Sequence, residues 1–131
     1  MPYTGHCNCE SIRITLASQP ENSVICHCAS CKRAGGSVFS TNYFVGEEEI
    51  SLEDAQGTLR IYDDTKTASG NVARRHFCSN CGSPIYTKTP SAPGKLYLKA
   101  ALFDRISSPK LAVFKERQPE WATLAGPEGE I

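Results

Sequence analysis

Phe77-Cys78-Ser79-Asn80-Cys81-Gly82 decides how this sequence is read. Two residues between the thiols let both sulfurs turn inward on one tight loop, and Gly82 supplies the permissive backbone such a knuckle needs. That is half of a tetrahedral zinc site. A redox Cys-x-x-Cys expects a helix to open at the motif, and Gly82-Ser83-Pro84 disfavours a helix, so zinc is the favoured reading. The other thiols form two further clusters, Cys7-Asn8-Cys9 and Cys26-His27-Cys28-Ala29-Ser30-Cys31.

The chain around these clusters has 131 residues, seven cysteines, and 14 Lys+Arg against 14 Asp+Glu. That length fits a single domain, residues 1–131. An odd number of thiols at short spacings, after a start (Met1 to His6) lacking the apolar run of an export signal, points to metal ligands rather than disulfides. No run approaches the ~18 apolar residues of a membrane span, and a soluble cytoplasmic protein is expected. Balanced charge, no long Lys/Arg tract and an acidic end at Glu128-Gly129-Glu130 argue against nucleic acid as a partner.

The fold class is mainly β. Ser11 to Leu16 alternates with Ile12, Ile14 and Leu16 on one face, the period of a half-buried strand. Thr58 to Tyr62, Lys95 to Lys99, Val38 to Val45 and Pro84 to Thr89 also read as strands. Helix is scarce: Cys28 to Ala34 is expected to form one turn beside a metal knuckle. Glu47-Glu48-Glu49 reads as a turn cap or solvated face, and the tail, Glu116 onward and 122–131 in particular, as irregular, with Trp121 anchoring it to the core.

Cys78 and Cys81 need two more thiolates, with five to choose from. If Cys7 and Cys9 flank a strand start, the two-residue period points both sulfurs to one side and closes a four-thiolate site. Cys26, Cys28 and Cys31 then remain. Structural zinc takes four protein ligands, whereas three leave a position for water or substrate. His27 or His76 could fill that position and make a second clip. His27, between two ligands, reads as a surface residue or one supporting the ligands from behind, and His76 as the stronger rival ligand or a packing residue. Three thiolates on a divalent ion leave a net charge of about minus one, a weak Lewis acid toward water but a good host for an external thiolate. The substrate class this suggests is a thiol.

Gly5-His6-Cys7-Asn8-Cys9, Cys26 to Arg33 with Gly35, and Phe77 to Gly82 together resemble the glutathione-dependent formaldehyde-activating enzyme family, whose domain is shared with centromere protein V. The resemblance covers Gly5 to about Trp121. It implies a tent-like fold of small antiparallel sheets stapled by zinc, with Cys7, Cys9, Cys78 and Cys81 as structural ligands. It likewise implies a second, catalytic zinc on Cys26, Cys28 and Cys31, possession of two zinc ions per chain, and glutathione as the small-thiol partner. The implied activity is a carbon–sulfur lyase reaction run in reverse, joining formaldehyde and glutathione to S-(hydroxymethyl)glutathione. Arg33 reads as a solvated cation or a carboxylate partner, and Gly35-Gly36 as a turn or a ligand approach. Tyr43, Tyr62, Tyr86, Asp63 and Asp64 are the candidates for moving protons. The competing reading is a non-catalytic zinc-stapled protein-interaction module.

Overall fold

The computed structural model describes residues 1–131. In chain order the elements are β1 (Tyr3–His6), β2 (Arg13–Leu16), β3 (Ser23–Cys26), α1 (Ala29–Gly35), β4 (Ser40–Gly46), β5 (Ile50–Glu53), β6 (Leu59–Asp64), β7 (Ala73–Cys78), β8 (Pro84–Lys88), β9 (Lys95–Lys99), β10 (Pro109–Val113), β11 (Ala125–Gly126) and β12 (Gly129–Glu130). Short 3-10 turns occupy Glu47–Glu49, Ala100–Leu102 and Lys115–Arg117. The chain is mainly β, as its alternation and turn residues predict. One three-stranded sheet runs β1-β2-β5, a seven-stranded sheet runs β10-β3-β4-β9-β8-β7-β6, and β11 pairs with β12. All pairs are antiparallel except β10 with β3.

The two larger sheets share one core. Ile12, Ile14 and Leu16 meet Tyr43, Val45, Leu96 and Leu98, all buried. Register explains the grouping: Leu98 lies opposite Tyr43 and Leu96 opposite Val45, so both pairs face the small sheet. Each fully buried Ile or Leu side chain stabilises the fold by roughly 1.5–3 kcal/mol. Tyr3 stacks on Phe103 with ring centroids 4.1 Å apart, and its hydroxyl lies 2.8 Å from that of Tyr43. Gly5 is required where β1 passes the Ala100–Leu102 turn, because a Cβ there would sit 2.5 Å from the Leu102 carbonyl oxygen.

The neighbouring register positions face the other way. Cys26 lies opposite Ser40 and Val113, Asn42 opposite Val24 and Lys99, and Tyr97 opposite Phe44 and Thr87. One face of the seven-stranded sheet thus builds the core, and the other carries Cys26, Asn42, Lys99, Tyr97 and Thr87 together.

Two expectations for the carboxyl-terminal segment are corrected. Residues 122–131 are not irregular throughout: Gly126 and Gly129 pair across Pro127-Glu128, a two-residue hairpin turn, with Gly129 at φ 116. Trp121 does not anchor the tail, being 78% exposed. Glu47–Glu49 is the turn cap expected, with Gly46 N–H donating to Glu49 Oε2 at 2.5 Å.

Candidate metal centres and their cavity

Two turns build the four-thiol cluster. Cys7 and Cys9 sit in the β1–β2 connection rather than on a strand, which corrects the two-residue-period argument for them. The turn closes when Glu10 N–H donates to the Cys7 carbonyl at 3.0 Å, with Glu10 itself at positive φ. On the other side, Gly82 at φ 78 donates its N–H to the Cys78 carbonyl at 2.7 Å, folding Cys78-Ser79-Asn80-Cys81 into a knuckle. The four sulfurs lie within 4.8 Å of one another, and Cys9 Sγ is 3.7 Å from both Cys7 Sγ and Cys78 Sγ. A tetrahedron with metal–sulfur bonds of about 2.3 Å has sulfur–sulfur edges of about 3.8 Å, so this donor set fits zinc.

The surrounding groups favour thiolates at Cys9 and Cys78, while burial raises the Cys7 thiol. Ser11 Oγ lies 3.1 Å from Cys9 Sγ and 3.4 Å from Cys78 Sγ, and Ile12 N–H points to Cys7 Sγ at 3.4 Å. Burial works against a charge on Cys78, but the Ser11 and Thr58 hydroxyls and the Cys81 and Asn80 N–H groups bring its thiol down to about 5. Cys9, hydrogen-bonded first by Ser11 and then by Asn80, is lowered to about 7.

The three-thiol cluster comes from one short segment. Cys26 ends β3, Cys28 is the N-cap of α1, and Cys31 lies in that helix's first turn. Cys28 Sγ accepts the Cys31 N–H at 3.3 Å, so the ligand geometry and the helix cap are one feature. The helix ends at Gly36, left-handed at φ 66, which gives Gly35-Gly36 the turn reading. The three sulfurs lie within 4.8 Å of one another, and neither His27 nor His76 belongs to the group. A hydrogen bond from Cys26 lowers the Cys31 thiol to about 5 against the cost of burial, with help from Cys28, the Lys99 charge and Ser40. Cys26 is raised in turn, by that same bond and by burial. Both clusters can hold a metal.

His27 is corrected from a surface or supporting residue. It is 1% exposed, lies edge-on to Phe39, and both ring nitrogens lack a hydrogen-bond partner. His76 is the packing residue: it stacks on Tyr86 at 4.1 Å, and its Nδ1 lies 3.1 Å from the Arg74 carbonyl oxygen.

A cavity of about 190 Å³ opens at the three-thiol cluster, walled by Val24, Asn42, Thr87, Tyr97, Val113 and Phe114 and carrying Lys99 and Arg75. None of Tyr43, Tyr62, Tyr86, Asp63 or Asp64 lines it, so the proton-moving candidates are not brought to the site. Asp64 reaches it only through Arg75, whose Nε donates to Asp64 Oδ2 at 2.9 Å. Burial opposes the Asp64 charge, but the Arg75 guanidinium and the Lys66 N–H hold its carboxyl below the usual carboxylate range. Arg33 is exposed and lines a separate groove of about 600 Å³, which Lys99 also borders. Lys99 and Arg75 escaped the sequence reading. The strand Lys95-Leu96-Tyr97-Leu98-Lys99 carries no signal for Lys99, because alternation puts it on the face opposite Leu96 and Leu98, where a lysine reads as solvated.

A model of the glutathione-dependent formaldehyde-activating enzyme family matches residues 2–117. Among curated relatives, a putative glutathione-dependent formaldehyde-activating enzyme of Halomonas elongata is 26% identical over 98% of this chain and 84% of its own. An uncharacterized lyase of Schizosaccharomyces pombe is 26% identical over 81% of this chain and 72% of its own. A crystal structure of a Rhodobacter sphaeroides protein superposes with a TM-score of 0.60 at 19% identity, covering 79% of this chain and 90% of that one, a likeness of fold. No helix is long and apolar enough to cross a membrane.

Proposed function

We propose a function from one premise: the chain belongs to the glutathione-dependent formaldehyde-activating enzyme family. On this reading residues 1–131 act as one unit that joins a small thiol to a carbonyl carbon, or breaks that carbon–sulfur bond in reverse. Formaldehyde and glutathione giving S-(hydroxymethyl)glutathione is the leading pair. Cys7, Cys9, Cys78 and Cys81 hold the zinc that staples the fold, and Cys26, Cys28 and Cys31 hold the one that serves the reaction. Zinc on the trio would supply a coordination position for an incoming thiol and favour its thiolate form.

The observation that carries this reading is the placement of three thiols, with no imidazole among them, at the wall of a cavity. The chain's own residues then prepare the site. α1 fixes Cys28 and Cys31 through its cap, and β3 fixes Cys26. Val24, Val113 and Phe114 narrow the space available to water, while Arg75, tied to Asp64, adds a fixed positive charge. About 190 Å³ is below the range of drug-sized pockets, so the reacting end of a thiol enters and the rest of a tripeptide stays outside. Free thiols of this number suit a reducing, cytoplasmic setting.

The test is metal content per chain with and without glutathione. Two zinc ions, one of them perturbed by the thiol, are expected. A pair indifferent to any thiol would overturn the enzyme reading in favour of a protein-interaction module.

A further inference from the structure

Lys99 is 5% exposed, at the end of β9, beneath the cavity of the three-thiol cluster. Lysine is almost never buried without a counter-charge. No carboxylate lies within ion-pair distance of it: Glu47 pairs with Lys88, Asp63 with Arg74 and Asp64 with Arg75. Its side chain makes no hydrogen bond within the protein either, and its backbone lies opposite Asn42 of β4. The charges that face it are the three thiols and Arg75. No acidic residue lines the cavity. Burial and then Arg75 pull the Lys99 pKa down, while the three thiols hold it up. In its protonated form the side chain has three donor hydrogens, little water around it and the cavity in front of it.

We propose that Lys99 is the cation that receives the electrophile's oxygen, holding it by a charge-assisted hydrogen bond as it turns anionic when the thiol sulfur adds to the carbonyl carbon. This deepens the function proposed above and rests on it. The thiol gives its proton to solvent, the sulfur pair forms the new carbon–sulfur bond, and the carbonyl π pair moves onto oxygen, which finally takes a proton from water. Nothing is oxidised or reduced. An ammonium already at the cavity wall when the charge develops costs little reorganisation at that moment, which is how an oxyanion is best stabilised. Lys99 also has a plainer role available, neutralising the thiolates, and that role makes no distinction between one bound thiol and another.

Mercaptoacetate distinguishes the two. It carries an anionic oxygen a short reach from its sulfur, as the adduct does, whereas ethanethiol carries none. Titration calorimetry on the zinc-loaded protein is expected to show mercaptoacetate binding about tenfold tighter than ethanethiol, the scale of one hydrogen bond to a charged group. In Lys99→Met that tenfold preference should vanish, whatever common loss of affinity both thiols show, and the rate of adduct formation should fall about 10²- to 10³-fold. Lys99→Arg, which keeps the charge, should recover part of the preference and serves if the Met variant does not fold. Equal affinity for both thiols in the unaltered protein, or a preference that survives in Lys99→Met, would overturn the role of Lys99 and leave the thiol reading intact. If no thiol binds at all, both fall.

Discussion

The two thiol clusters are built from the same ligand by opposite strategies. Cys7 and Cys9 are joined to Cys78 and Cys81 only through space, so holding a metal there fixes the β1–β2 turn against the β7–β8 knuckle, and Cys7 and Cys78 count among the core residues. Cys26, Cys28 and Cys31 lie within one short segment whose geometry is already set by the cap of α1, and their sulfurs border a cavity instead of the core. A ligand set that spans the chain makes metal binding part of folding. One that is local leaves the fold independent of it and frees the site for chemistry.

The largest expected effect breaks the first strategy. Cys81→Ser should leave most of the chain unfolded by circular dichroism, since structural zinc contributes an apparent ~10–16 kcal/mol in small zinc-finger peptides, more than the whole stability of many domains. A cooperative melt near that of the unaltered protein would refute the division of labour.

Next in size is the ion pair under the cavity. Asp64→Asn strands the Arg75 guanidinium, whose side chain is only 15% exposed, and should cost about 2–3 kcal/mol in urea unfolding. The sign with pH follows from the depressed Asp64 carboxyl. Its contribution is complete above the unfolded carboxylate range and is lost as pH falls through the lower folded value. The gap in stability between the unaltered protein and the variant should therefore close as the solution is acidified, and a gap that stays constant to low pH would contradict it.

The second strategy is sharpened by Cys28→Ser. Serine is itself a preferred N-cap, so α1 survives, and the midpoint of unfolding should move by the equivalent of only about 1 kcal/mol. The metal of the trio and the thiol response should both disappear. Elemental analysis showing one zinc in a well-folded chain is the expected result, and loss of both ions would merge the clusters into one folding unit.

How much of this was legible depends on whether a residue's fate is decided nearby. The Cys-x-x-Cys knuckle with Gly82, the helical turn after Cys28 and the alternation of Ile12, Ile14 and Leu16 are local signals, and each describes the folded chain. Lys99 is different. Its strand alternates Lys95, Tyr97 and Lys99 against Leu96 and Leu98, which by itself places Lys99 in solvent. It is buried on a face where the α1 region and residues 67–69 wall the same cavity, a tertiary fact with no trace in the strand's own sequence. Trp121 errs the other way: aromatic size argues for anchoring, but nothing in the preceding turn carries its ring to the core. Cys7 and Cys9 reach their site by a turn that Glu10 closes at positive φ, a conformation that periodicity does not foresee.

The smallest expected effect concerns His27, the residue that separates two ligands of the trio without joining them. Its side chain is buried, and leaving a buried nitrogen without a partner costs about 1–3 kcal/mol, so removing the ring's polarity relieves a penalty instead of breaking a bond. Leucine fills a similar volume. His27→Leu should therefore melt no lower than the unaltered protein and retain both metals, because the cysteines on either side point to the cavity while the imidazole packs on Phe39. A variant that loses one zinc would make His27 the fourth ligand after all, closing the trio and turning the second cluster into a copy of the first.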